Sequence, residues 1–215
     1  MTQTISRLSM KRIIISLLIF ALIPVVARLL NRIVDNETIS LTFSLTLAGW
    51  ILIMYDWNLF GIHYNRCKEN LGDTILYSIV GVILIGGWVF LNVRFLQGTM
   101  LLPDRETIHR YFFASPAIIA AFTYIQAFLV NIAFKCLTDR FDIREKELLI
   151  ILASGFLFGL VFTLLFTEFE IALLIRTYLY NTILVMILSY LYNQSSSFIP
   201  GIIAMGTVYL IVILI

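Results

Sequence analysis

The chain has 215 residues, 60% hydrophobic and 13% charged, with a net charge of +2 and a mean hydropathy of +0.97. A soluble domain carries about 25% charged residues, so this is the composition of an integral membrane protein. The small net charge and the lack of a basic tract exclude a nucleic-acid-binding surface, and there is no P-loop, GxGxxG or HExxH pattern.

Seven apolar runs follow one another. The first, about Ile13 to Leu30, comes after Arg7, Lys11 and Arg12. No small-residue cleavage site follows it, which predicts a retained helix and not a signal peptide. Pro24 is expected to kink it and Arg28 to snorkel to the interface. The second span runs from Ile39 to about Met54 and ends in Tyr55-Asp56-Trp57-Asn58, a composition suited to an interfacial belt. A loop is expected from Gly61 to Asp73, with His63, Arg66, Lys68 and Glu69. The third span is about Thr74 to Val93, followed by a polar connection, Arg94 to Arg110.

The fourth span is about Phe112 to Phe134, with Pro116, Gln126 and Asn131 inside it. A loop of mixed charge, Lys135 to Glu147, leads to the fifth, Leu148 to Phe166. This span carries Gly155 and Gly159 four residues apart, on one helical face that lets a neighbouring helix approach closely. The turn Thr167 to Glu170 precedes the sixth span, about Ile171 to Leu191, which holds Arg176 and Asn181. A serine-rich turn, Asn193 to Ser197, precedes the last, Phe198 to Ile215. The expected fold is all-α, a polytopic transmembrane bundle of about seven helices. Residues 1–56 form two N-terminal helices and residues 57–215 a larger membrane domain. Basic residues bias the loops toward a cytoplasmic N-terminus and an outer C-terminus in a cell membrane.

Polar side chains at membrane depth need a reason. Arg176 is a candidate anion site, or else it snorkels or pairs with Glu168 or Glu170. Gln126, Asn131 and Asn181 are read as interhelical hydrogen-bonding groups. His63 and His109 fall in separate loops, which argues against a shared metal site, and Cys67 and Cys136 have no metal-ligand spacing. The residues imply no metal and no cofactor.

Two phrases in the last spans carry a family resemblance. Ser154-Gly155-Phe156-Leu157-Phe158-Gly159-Leu160-Val161-Phe162 looks like the motif "SSLLFGLAH", with Phe162 where the histidine belongs. Ser196 to Met205 looks like the segment leading to a second histidine, with Met205 in its place and Tyr209 in the following Asn/Asp place. Val130-Asn131-Ile132-Ala133-Phe134-Lys135-Cys136 looks like "EELLFRG", with Val130 and Asn131 for the glutamates and Lys135 for the arginine. Together these resemble the CPBP family of CAAX-processing intramembrane proteases and bacteriocin-processing or immunity proteins, also called Abi.

The resemblance covers about Trp57 to the end, with a four-helix core in about residues 112–215. It implies a fold kept and a water-activating site lost, because only Phe158 and the basic Lys135 survive among the motif residues. Glu145 and Glu147 are not a displaced glutamate pair. The expectation is a pseudoenzyme that binds a membrane protein or a hydrophobic peptide in the bilayer. Its surface would be the groove between the fourth, fifth and seventh spans, and the role that of a scaffold, subunit or immunity protein. Two alternatives stand beside it: an active endopeptidase recruiting Glu168, Glu170 or Asn131, and a small-molecule or ion transporter using Arg176.

Overall fold

The computed structural model describes residues 10–55, 57–100, 102, 109, 118–120, 122–127, 130–131, 147–167 and 169–215. Lys135, Cys136, Glu145 and Glu168 lie outside them. The described residues are helical apart from short connections, with no strand among them. The protein is multi-pass: four helices are long and apolar enough to cross a bilayer, at Ile14–Val34, Leu71–Leu96, Glu147–Leu165 and Ile171–Ser195. Three apolar helices are shorter: Ile39–Tyr55, Ile118–Ala127 and Ile199–Leu214.

The first two helices make a hairpin. α1 (Met10–Val34) contains Pro24, and α2 spans Glu37–Tyr55. Between them Asp35 adopts a left-handed conformation, φ 52°. The Asn36 carboxamide oxygen then accepts the Ile39 amide at 3.0 Å, capping α2 as a short polar side chain does best. The hairpin buries Phe20, Ile23 and Ala27 of α1 and Leu45, Ala48 and Leu52 of α2. It meets the rest of the bundle through Phe20, whose ring packs edge-on against Phe162 at 5.2 Å.

The loop expected from Gly61 to Asp73 is largely helix. α3 occupies Trp57–Glu69 and α4 begins at Leu71. α3 mixes polar and apolar residues, so no long apolar run announced it. His63, expected in a loop, is a buried residue of this helix.

α4 (Leu71–Leu91) passes into one π-helical stretch, Asn92–Leu96, which ends at Gln97 in a left-handed conformation. The buried Asn92 side chain clamps the chain there. Its amide nitrogen donates to the Gly98 carbonyl at 3.0 Å, and its oxygen accepts the Gly98 amide at 3.1 Å. The segment is thereby laid on the sixth span, with the Thr99 amide donating to Thr177 Oγ1 at 2.9 Å.

The helical segment α5 (Ile118–Ala127) is followed by helical Val130 and Asn131. Then come α6 (Glu147–Phe166), α7 (Ile171–Ser195) and α8 (Ile199–Leu214). α6 and α7 pack tightly because Gly155 and Gly159 present no side chain to α7. A Cβ on Gly159 would lie 2.8 Å from both the Cα and the amide nitrogen of Thr182. Ser154 and Ser189 share a hydrogen bond at 2.9 Å across the same interface. α8 sits against α4, where a Cβ on Gly81 would stand 2.7 Å from that of Ala204. α7 touches α4 through Trp88, whose indole N–H donates to the Tyr180 carbonyl at 3.0 Å.

Candidate functional site

The positions aligned with the family's motif residues lie on α6, α8 and the segment around residue 130. Val130, Phe162, Met205 and Tyr209 are all buried in one apolar core, together with Phe122, Ile125, Leu184 and Val208. Asn131 is buried as well. Phe158 is half-buried and packs on the same core.

Two polar strands of contact cross this core. The Tyr209 hydroxyl donates to the Gln126 carboxamide oxygen at 2.9 Å, tying α8 to α5. The Asn181 amide donates to Thr163 Oγ1 at 3.1 Å, tying α7 to α6, and Thr163 in turn donates to the Gly159 carbonyl at 2.8 Å. Gln126 and Asn181 thus make the interhelical bonds that amides at membrane depth call for. Tyr180 is fully buried and its hydroxyl neighbours Tyr209. That hydroxyl closes no hydrogen bond among the described residues, and neither does Asn131 Oδ1.

Chemically this is a set of neutral hydrogen-bonding groups in an apolar setting. Phenol and carboxamide are not general bases near neutral pH. What the set does is hold helices in register, since a polar group lodged among apolar side chains costs free energy when it is pulled away from its partner. Among the described residues no group of three or more His, Cys, Asp or Glu side chains is placed to hold a metal.

The chain matches no protein-family model, no curated protein and no solved structure.

The other candidates lie apart from this core. Arg176 is exposed on α7, and its carbonyl is the surface against which Gly98 packs. His109 is exposed. His63 is buried, at the other end of α7 from Arg176, its ring 4.4 Å from that of Phe198. Gly155 and Gly159 face α7, the sixth span. They do not open onto a groove between the fourth, fifth and seventh spans, because Thr182 and Met186 already occupy that face.

Sequence reasoning named Gln126 and Tyr209 for separate reasons and did not pair them. Residues 83 apart in the chain carry no spacing signal. Trp88 and Tyr180 belong to no motif in the sequence. Their common sign is an aromatic with a polar handle inside an apolar run, where its donor must find a partner.

Proposed function

We propose that this is a CPBP-like membrane protein without catalysis, which binds a partner helix or a hydrophobic peptide within the bilayer. The observation that carries the reading is the burial of Val130, Phe162, Met205 and Tyr209 in one core, at the positions where the family resemblance would put its water-activating groups. A partner then binds on an outer helix face. We assign it to α6, the helix of the first motif-like phrase, where Leu152, Phe156, Leu157, Leu160 and Leu164 are exposed. In this reading all seven apolar helices span the membrane, α2, α5 and α8 included, with the N-terminus on the cytoplasmic side.

The test is photocrosslinking in the native membrane. Leu160→p-benzoylphenylalanine on α6 is expected to give one adduct of defined mass, with the partner uncut, while Ile83→p-benzoylphenylalanine on α4 gives none. No adduct from α6, or a cleaved one, overturns the proposal. Impermeant thiol labelling tests the topology. Lys68→Cys should react from the cytoplasmic side and Arg94→Cys from the other; the reverse pattern overturns the assigned orientation.

A further inference from the structure

α3 is thirteen residues long. At the helical rise that is about 20 Å, against about 30 Å for a hydrocarbon core, so it does not span. Its packing places it instead. The His63 ring lies 4.4 Å from that of Phe198, and the His63 carbonyl accepts from Ser197 Oγ at 3.4 Å. Arg66 Nη1 donates to the Ser196 carbonyl at 3.0 Å, and Cys67 Sγ is 3.4 Å from Ser197 Oγ. More than a turn of α3 therefore meets three consecutive residues at the joint between α7 and α8. His63 also packs its ring 5.7 Å from that of Tyr192, a turn further back on α7, so α3 lies at this end of the pair.

The side of α3 turned away from that joint has a distinct chemistry. Trp57, Gly61, Tyr64 and Lys68 follow at helical spacing along one face. Trp57 is 63% and Tyr64 48% exposed, and Lys68 is exposed with its Nζ 4.9 Å from the centre of the Tyr64 ring. Beside this stripe, the Arg12 guanidinium of α1 stands 5.7 Å from the centre of the Tyr55 ring, the last residue of α2. Lys11 is exposed next to it. Lys11 and Arg12 thus stand by Tyr55 and Trp57 at the start of the stripe, and Lys68 by Tyr64 at its end. In the sequence, Asp56 stands between Tyr55 and Trp57, and Glu69 and Asp73 follow Lys68.

Trp and Tyr settle at the headgroup level of a bilayer, and cations just outside a span attract anionic lipid. An aromatic stripe ending in a lysine, on a helix too short to span and packed at the end of a membrane bundle, combines the two. We infer that α3, with the start of α1, is a docking surface for the phosphodiester headgroup of an anionic phospholipid. The rings hold the helix at the depth of the phosphates, and Lys68 and Lys11 meet the uncompensated charge. A zwitterionic headgroup has the same phosphate, but its own cation cancels that charge.

The experiment uses the full chain in nanodiscs of phosphatidylcholine with and without phosphatidylglycerol, reading retained lipid by native mass spectrometry. Phosphatidylglycerol is expected to be retained about tenfold over phosphatidylcholine. Lys11→Gln with Lys68→Gln should remove most of that preference, whereas Lys11→Arg with Lys68→Arg keeps it. Arg32→Gln with Arg94→Gln, at the opposite end, should leave it unchanged. Raising salt from about 0.05 to about 0.5 M should lower it in the unmodified protein, a readout that needs no variant. Equal retention of the two lipids, an equal loss from the opposite-end pair, no response to salt, or displacement by millimolar inorganic phosphate would each overturn the inference. The last would assign the site to a free anion.

Discussion

Gly159 of α6 and Thr182 of α7 meet backbone to backbone: a Cβ on the glycine would fall 2.8 Å from the threonine Cα. Backbone cannot move aside as a side-chain tip can. Gly159→Ala should therefore destabilise the bundle by about 1–3 kcal/mol, the usual cost of overpacking. Gly155→Ala should cost less, since the flexible Met186 side chain is among the atoms it meets. Gly87→Ala, with nothing within 4 Å, should be neutral or stabilising, because alanine favours helix. Unfolding of the three variants in bicelles by steric trapping gives the order; equal effects would mean that α6 and α7 are not packed this closely.

Tyr209 and Gln126 tie α8 to α5 by a side-chain hydrogen bond at 2.9 Å. Tyr209→Phe should cost about 0.6–1.7 kcal/mol, the range of such bonds in membranes. Gln126→Leu should cost a similar amount. The double variant should lose less than the sum, because no buried partner is then stranded. An additive cycle would show that the bond contributes no coupling.

Asn92 holds Gly98 through two hydrogen bonds, so Asn92→Ala should free the whole 97–100 segment. At about 1 kcal/mol for each lost bond, the Gly98 and Thr99 amides should exchange with solvent roughly tenfold faster or more. Hydrogen exchange read by mass spectrometry checks this. Gly98→Ala should act the same way for a steric reason, since its Cβ would meet the Arg176 carbonyl oxygen at 2.8 Å.

The Cys67 thiol is buried against Ser197, beneath the bond from Arg66 to the Ser196 carbonyl. In a Cys136→Ser background, maleimide labelling of Cys67 should be slow. Arg66→Ala should accelerate it several-fold by releasing α3 from the end of α7. Unchanged labelling would mean that other contacts hold α3 in place.

The long spans were legible because an apolar run is a direct statement about solvent. The expected Thr74–Val93 became Leu71–Leu91 with a π-helical continuation, and Leu148–Phe166 became Glu147–Phe166. α3 was not legible, because its apolar and polar residues interleave over thirteen positions and match no span. The glycine pair of α6 announced a close helix contact, yet nothing in its spacing said that α7 would be the partner. Likewise, Gln126 announced a need for a hydrogen bond, but its partner is set by how α5 and α8 align, which is a property of the assembled bundle.

The placement of α8 has a consequence for biosynthesis. α4 and α5 are made well before α8, yet both find their packing partner in it: Gly81 against Ala204, and Gln126 with Tyr209. Until α8 enters the membrane, Gln126 lacks the Tyr209 hydroxyl and α4 shows its glycine notch to lipid. Nascent chains stopped before Tyr209 should thus be long-lived clients of membrane chaperones and proteases. Chains that reach it gain a bundle closed from its far end back toward its middle.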